Sequence, residues 1–480
     1  MCSKAAGILW DMRSGLCYEG CKKMKKMESL KRIMLLFMSA ICIAGQTYVF
    51  AYVWFDYYSE LIWKRYYMRG HVMIIAFFAI LLLFFSRLYG GLRIGYLKTT
   101  EVVFSEMFAT ICVDVIIYFV IVMLSLRIVP PQQIGVMFVI QALFDVVWIN
   151  LCTWIYRNIF PPRDLLVIYG DRPIEDILAK FDSRKDKYNV CKCMNISEGV
   201  EKICTEACER YDAIVLWDLP SETRNKILKF CYGKSIRVYL MPKIPDVIVK
   251  GAEQLHLFDT PILLVREYQL TLEERFFKRL IDIVCSLILT VIAAPFMLIT
   301  ALLVKLYDGG PVFYKQVRCT VDCREFKILK FRSMRQDAEK DGVARLAKQN
   351  DDRITPIGRI IRKIRFDELP QLLNILKGDM SFIGPRPERP EIIKQYLEEM
   401  PEFIFRTKVK AGLAGYAQVY GKYNTTPYDK LKLDLFYIEN YSLWMDLKLM
   451  LLTLKILFNP ESTEGISDTQ VTALKSEEDK

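Results

Sequence analysis

The 480-residue chain has only two histidines, His71 and His256, and they stand far apart in the sequence. That is too few and too scattered for a histidine-based metal or acid–base centre. A glycine-rich G-x-G-x-x-G loop is also missing. The stretch "DLLVIYGD" (164–171) looks like the strand that would precede one, yet it supplies only Gly170, which excludes a nicotinamide dinucleotide. No helix-turn-helix, zinc-finger or RNP-type pattern occurs, so nucleic acid is not the partner implied by the formal net charge of +11. The basic start lacks a short apolar core with a small-residue cleavage site, and it is therefore not read as a cleaved signal peptide. Cysteine is not scarce, at fourteen residues. Cys42, Cys112, Cys152 and Cys285 lie in apolar runs and read as small hydrophobes. Cys191, Cys193, Cys204 and Cys208 match no common zinc spacing and read as free thiols of a reducing compartment, with a metal site as the lesser reading.

What the chain has in abundance is apolar sequence, 53% of its residues, and it is concentrated. After a basic tail over 1–31, with Lys22, Lys23, Lys25 and Lys26 clustered, come four runs at about 33–54, 71–89, 102–126 and 134–156. Each reaches the ~20 residues that span ~30 Å of hydrocarbon. The basic tail stays inside, and Arg127 alone begins the loop between the third and fourth runs, which suits the outside. Four crossings (32–160) return the chain to the cytoplasm. Residues 161–270 then alternate short β-rich runs, "DLLVIYGD", "AIVLWDLP" (213–220) and "IRVYLMP" (236–242), with helical segments at 173–182 and 221–234. This predicts a small α/β, Rossmann-like domain with a parallel sheet and without the dinucleotide fingerprint. Residues 461–480 read as a polar, disordered tail.

A further apolar run, "IVCSLILTVIAAPFMLITALLV" (283–304), has no charge and is about 33 Å long as a straight helix. Pro295 in its middle removes a hydrogen bond to the carbonyl of Val291. Both flanks are basic, with Arg275, Lys278 and Arg279 before and Lys305, Lys315 and Arg318 after. The positive-inside rule holds both flanks on one side, so the run is read as a Pro-broken, re-entrant hairpin. A fifth crossing helix is the other reading. It would carry everything beyond residue 305 away from cytosolic nucleotides.

Downstream, Asp367 and Glu368 stand side by side. On a helix they would diverge by about 100° and could hold separate roles, one as a nucleophile toward phosphorus, the other as a Mg²⁺ ligand. Taken bare, such a pair more often marks a solvated helix start. Lys330, Arg332, Arg353, Arg362 and Arg386, the last between two stiffening prolines in "GPRP", supply the positive charge that phosphate chemistry needs. The stretch 429–458 mixes lysine, aromatic and leucine residues, and from Asp446 onward it suits either a bilayer interface or a packed core.

The order of these pieces resembles the bacterial sugar transferase family of polyprenyl-phosphate hexose-1-phosphate transferases from Glu273 to Pro460. They are "KRLID" (278–282), the apolar run, "GGPVFYKQVR" (309–318), "FKILKFRSM" (326–334), "DDRITPIGRIIRK" (351–363), "DELPQLLNILKGDMSFIGPRP" (367–387), "AGLAGYAQVYG" (411–421) and "DLFYIENYSLWMDLK" (434–448). The resemblance implies a mainly α-helical monotopic catalytic domain (271–460). It implies transfer of sugar 1-phosphate from a UDP-sugar to undecaprenyl phosphate with release of UMP, at the start of surface glycan synthesis on the cytoplasmic face of the inner membrane. By the same resemblance Asp367 forms a phosphosugar-aspartyl intermediate, Glu368 holds Mg²⁺, Arg386 contacts a phosphate with Arg362 and Lys330 in support, and the protein self-associates. The chain departs from the family's pattern at Ala294-Pro295, where Ser-Pro is usual, and at Thr320, Cys323, Ala411 and Ala414. Donor preference is expected to lie near 411–414. A membrane-bound nucleotide-sugar dehydratase would need the missing glycine loop. A non-enzymatic assembly scaffold would tolerate loss of Asp367.

Overall fold

The computed structural model describes residues 2–63, 67–208, 211–257, 259–265, 270–335, 353–421 and 425–457. The polar tail expected at 461–480 lies outside them. The chain divides into two compact units, residues 1–241 and 242–480.

In the first unit four long helices follow the four apolar runs: α1 (Cys2–Asp56), α2 (Met68–Tyr89), α3 (Thr99–Ser125) and α4 (Gln132–Ile159). Each is long and apolar enough to cross a membrane. The basic segment expected to be a loose tail is instead helical and continuous with α1; it contains no proline to stop the helix. Outward-facing side chains such as Leu36, Phe37, Ile80, Phe119, Leu143 and Val147 are exposed apolar groups, the surface a bilayer covers.

Beyond the bundle the unit alternates strand and helix: β1 (Arg163–Tyr169), α5 (Glu175–Asp182), β2 (Tyr188–Asn195), α6 (Val200–Ala207), β3 (Ala213–Trp217), α7 (Ser221–Gly233) and β4 (Arg237–Leu240). The strands form one sheet of order β2-β1-β3-β4, all parallel. Leu165 to Ile168 of β1 and Ala213 to Trp217 of β3 are buried, because helices cover both faces of a parallel sheet. Sequence reading found β1, β3 and β4 but missed β2. Its alternating "YNVCKCMN" buries one residue deeply, Met194, and carries the exposed Cys191 and Cys193, so it lacks the apolar run that marked the others.

The second unit opens with α8 (Ile244–Lys250), whose Ile244 and Val247 enter that unit's core. A hairpin follows, β5 (Glu253–Leu257) with β6 (Thr260–Leu264). Next is α9 (Leu272–Asp308), started by a capping box between Thr271 and Glu274. It is helical throughout, with Pro295 inside rather than at a break. An antiparallel hairpin, β7 (Phe313–Cys319) with β8 (Glu325–Phe331), leads to α10 (Pro356–Lys363) and α11 (Gln371–Lys377). Strand β9 (Ser381–Ile383), α12 (Pro390–Glu399), β10 (Gly412–Ala414), α13 (Tyr416–Tyr420), α14 (Pro427–Glu439) and α15 (Leu443–Leu457) complete it. β9 and β10 pair in parallel.

Most of the apolar surface of α9 is uncovered: Leu272, Val291, Leu298 and Leu306 are each more than 65% exposed. Its polar start is tied down instead. Lys278 Nζ donates to the carbonyl of Ile383 (3.0 Å) and pairs with Asp446 (2.7 Å). Arg279 donates to the carbonyls of Ile375 and Leu376, both at 2.6 Å, and so satisfies the end of α11. Asp282 accepts from Ser381 Oγ and the Phe382 N–H. The "KRLID" segment is therefore a polar anchor joining an apolar helix to β9 and α11. α15 combines both faces anticipated for it. Asp446, Leu449 and Leu452 are packed, while Trp444, Leu447, Leu454 and Leu457 are exposed along one side.

Candidate active site: an acid pair on a turn

Asp367 and Glu368 do not lie on an α-helix, contrary to the sequence expectation. They occupy a single 3₁₀ turn, Phe366–Glu368, between α10 and α11. Two local features force this. Arg365 adopts a left-handed conformation (φ 56°), which ends α10. Pro370, with no N–H to give, stands at the entrance to α11. A non-glycine residue held at positive φ costs of order 1 kcal/mol or more. The surrounding packing fixes that conformation immediately before the acids.

Three elements converge on the pair. Lys330 projects from β8 and its Nζ lies 3.0 Å from Glu368 Oε1. Arg386, from the "GPRP" turn after β9, approaches the same oxygen at 3.2 Å. Burial by itself would raise the Glu368 carboxyl, but Lys330, Arg386 and Arg365 outweigh it and hold the group below the usual carboxylate range. Asp367 behaves in the opposite sense. Burial and the neighbouring Glu368 charge raise it, against the pull of Lys330, Arg362 and Arg386. No hydrogen bond or ion pair occupies the Asp367 carboxylate among the described residues. Two adjacent acids are thus set apart, one firmly ionised and engaged, the other uncommitted.

The residues expected around the acids divide accordingly. Lys330 and Arg386 touch Glu368, and Arg362 contributes charge from α10. Arg332 is buried beside a small cavity lined by Val304, Tyr307, Met334, Thr355 and Ile357. Arg353 leads into α10, its carbonyl accepting from the Arg335 N–H. Neither Arg332 nor Arg353 shares the Glu368 contacts made by Lys330 and Arg386.

Sequence reading missed the residues that hold Arg386. Arg406 donates to the Arg386 carbonyl (3.0 Å) and is itself held by buried Asp434 at 2.8 Å. Arg318 donates to the Pro387 carbonyl at 3.2 Å, and both Arg318 and Arg406 flank Glu388. The turn is also pinned through its backbone. Gly384 N–H donates to the Ala414 carbonyl and Gly412 N–H to the Pro385 carbonyl, both at 2.9 Å. The chains approach so closely that a Cβ on Gly412 would sit 2.1 Å from the Gly384 nitrogen, which only glycine permits. The sequence clue was an acid, Asp434, three residues from Leu431 and four from Ile438, facing the core with them.

The bacterial sugar transferase family model matches residues 273–460. A UDP-N-acetylgalactosamine-undecaprenyl-phosphate N-acetylgalactosaminephosphotransferase of Aeromonas hydrophila is 38% identical over 255 residues, 52% of this chain and 59% of that protein. A UDP-glucose:undecaprenyl-phosphate glucose-1-phosphate transferase of Caulobacter vibrioides is 40% identical over 190 residues, 38% of this chain and 71% of its own length. An exopolysaccharide production protein of Rhizobium leguminosarum bv. phaseoli is 42% identical over 182 residues, covering 36% of this chain and 90% of that one. The chain belongs to the bacterial sugar transferase family. It spans less than two thirds of the Aeromonas relative.

Proposed function

We propose that this protein moves a hexose 1-phosphate from a UDP-sugar to undecaprenyl phosphate, releasing UMP, as the first step of a surface glycan. The observation that carries the reading is the uncommitted Asp367 carboxylate beside Glu368, on which Lys330 and Arg386 converge. A carboxylate free of hydrogen bonds keeps its lone pairs for attack, and the two cations balance the charge of a diphosphate.

In the proposed first step an Asp367 oxygen attacks the sugar-bearing phosphorus. The bond from that phosphorus to the bridging oxygen breaks, and UMP leaves with the electron pair. In the second, a phosphate oxygen of undecaprenyl phosphate attacks the same phosphorus and displaces Asp367, giving the lipid-linked sugar diphosphate and restoring the carboxylate. Arg386 and Lys330 stabilise charge on the phosphoryl oxygens, and Arg362 supports them from α10. Mg²⁺ accepts one or two carboxylates together with phosphate oxygens. Glu368 Oε2 and the Asp367 oxygens, all without hydrogen-bond partners among the described residues, fit that demand. Glu368 would hold the ion, which when bound would neutralise diphosphate charge.

The same reading places the site on the cytoplasmic face of the inner membrane, where UDP-sugars are made. It takes α9 as a re-entrant helix bent at Pro295, whose exposed apolar side chains enter one leaflet. The four-stranded parallel domain is taken as Rossmann-like with an assembly or regulatory role. Incubating purified protein with radiolabelled UDP-sugars, undecaprenyl phosphate and Mg²⁺ tests the chemistry: lipid-linked product with at least one donor is expected, and none with any donor overturns it. Labelling a cysteine placed just beyond residue 305 from outside intact cells tests the topology, and a labelled site would refute it.

A further inference from the structure

The end of the bundle that leads into the parallel sheet gathers bases that the proposed chemistry does not use. Lys31 lies at the start of the membrane-length part of α1. Its Nζ is 5.7 Å from the centre of the Tyr96 ring in the α2–α3 connection, 4.8 Å from that of Tyr156 on α4 and 5.6 Å from that of Phe160 just beyond α4. Lys187, at the entrance to β2, comes to the same Tyr96 ring at 4.4 Å and to Tyr188 at 5.2 Å. Arg184 donates to the Tyr96 carbonyl at 2.7 Å. Arg163, at the start of β1, donates to the Tyr239 hydroxyl at 3.0 Å, and its charge acts on both lysines. Tyr96 therefore marks a common point. Both ammonium groups lie within 5.7 Å of its ring centre, and a guanidinium is bonded to its backbone.

The charge gathered there is not balanced. Among the described residues neither the Lys31 nor the Lys187 ammonium group makes an ion pair or a hydrogen bond. Asp186 attracts Lys187, but its carboxylate is already held by Arg184 at 3.0 Å and approached by Arg157 at 4.0 Å. Burial, with the charges of Arg184, Lys31 and Arg163, pushes Lys187 down to about 8. The ring faces offset part of this cost. An ammonium still has three N–H groups to place, and a ring carries no net charge. Water can accept those N–H groups but leaves four cations crowded together. An anion with several acceptor oxygens meets both needs.

The location points to the source of that anion. On α1 the exposed apolar side chains Ile33, Leu36 and Phe37 follow closely on Lys31, and on α4 exposed Trp154 and Ile159 flank Tyr156. The cluster thus stands at the edge of the surface a bilayer covers. Lipid phosphates lie at that depth, and aromatic and basic side chains collect there. We propose that Lys31, Lys187, Arg163 and Arg184 bind an anionic phosphate, presented by the headgroup of an anionic phospholipid. Its acyl chains have the exposed apolar sides of α1 and α4 to lie against. Lys31 belongs to the bundle, whereas Arg163, Arg184 and Lys187 belong to the sheet and its connections. One headgroup therefore ties the membrane helices to the parallel domain. The site takes no part in the proposed transfer.

The test titrates the full chain, purified in detergent, with phosphatidylglycerol or phosphatidylcholine and follows bound lipid by native mass spectrometry. Phosphatidylglycerol is expected to bind at least about tenfold tighter. Lys31→Met/Lys187→Met keeps apolar bulk beside the rings, removes two charges and should erase most of that preference. Lys98→Met/Lys185→Met removes the same charge from exposed lysines outside the cluster, and it should alter the preference by less than about twofold, since exposed charges are screened. Lys187→Met alone, outside the membrane helices, takes the place of the double variant should that not fold. Inorganic phosphate in large excess should leave the lipid bound. The proposal is overturned if the two lipids bind alike, if the cluster variant keeps the full preference, or if the control pair loses as much as the cluster pair. It is also overturned if inorganic phosphate displaces the lipid, which would assign the cluster to a soluble phosphate.

Discussion

The two units of this protein bury carboxylates under opposite conditions. In residues 242–480 several buried or half-buried acids have an answering base. Asp434 meets Arg406 at 2.8 Å, Asp446 meets Lys278 at 2.7 Å, and Glu368 meets both Lys330 and Arg386. In the four-helix bundle the hydrogen bonds to Glu106 and Asp145 come from neutral side chains, and Glu106, Asp114 and Asp145 keep oxygens without a hydrogen-bond partner among the described residues. The pairs of residues 242–480 are self-sufficient, and beside one of them Asp367 has no hydrogen bond or ion pair among the described residues. The bundle leaves its acids without a base among the described residues, and burial there favours the neutral carboxylic acid. The state of each carboxyl thus follows the charge placed beside it.

The contrast is broken most severely at Asp367. Asp367→Asn leaves the charge of Glu368 and its partners in place but removes the carboxylate proposed to attack. Turnover of UDP-sugar to lipid-linked product is expected to fall by at least about 10⁴-fold, the scale of losing a covalent nucleophile. Melting should be little changed. Retained turnover would remove the aspartyl step and favour a scaffold.

Asp434→Ala attacks the self-sufficient arrangement. It leaves Arg406 buried without its 2.8 Å partner, and breaking a buried pair from one side costs about 3–5 kcal/mol. Denaturant unfolding of the full chain reads this directly. Because Arg406 also holds the Arg386 carbonyl, the surviving folded fraction should show reduced turnover as well. A stability loss with unchanged turnover per folded molecule would separate Arg406 from the site.

Arg386→Ala is expected to lower turnover by about 10²-fold, the loss seen when one charge-stabilising donor is removed. The deficit should appear mainly in kcat if the guanidinium acts on the transition state, and in KM if it only binds donor. Arg386→Lys should recover part of the charge but not the forked geometry.

How far these relations were legible in sequence follows from their range. The four apolar helices and the β1, β3 and β4 strands carry their own periodicity, so they could be read locally. Strand β2 could not, because only Met194 of its eight residues is deeply buried. The acid pair was legible as adjacent letters, but its 3₁₀ turn was not. That geometry depends on the left-handed Arg365, a state local preference disfavours and tertiary packing imposes. Lys330 and Arg386 were named from charge and motif. Arg406 and Asp434 were not, since a buried pair separated by 28 residues leaves no local pattern. The bundle's acids sat unremarked inside apolar runs, where three carboxylates scarcely alter the hydropathy.

The finest distinction between the acids of the pair is their titration, and here the signs can be tested. On the proposed mechanism Asp367 must be ionised to attack. On the acid side of the profile, kcat/KM should therefore fall about tenfold per pH unit below its pKa. Burial and the adjacent Glu368 push that pKa up, so the limb should lie above the ordinary aspartate value of about 4. Two substitutions move it in opposite directions. Glu368→Gln removes a neighbouring negative charge that raises Asp367, so the limb of the residual activity shifts to lower pH. Lys330→Met removes a positive charge that lowers Asp367, so the limb shifts to higher pH. Both variants should be slower, and rate loss alone would not tell an electrostatic role from a structural one. Opposed displacements of one limb would, because a general loosening of the site has no reason to reverse sign between an acid and a base. A limb unmoved by either change would mean that it reports some group other than Asp367, and the division of labour within the pair would have to be abandoned.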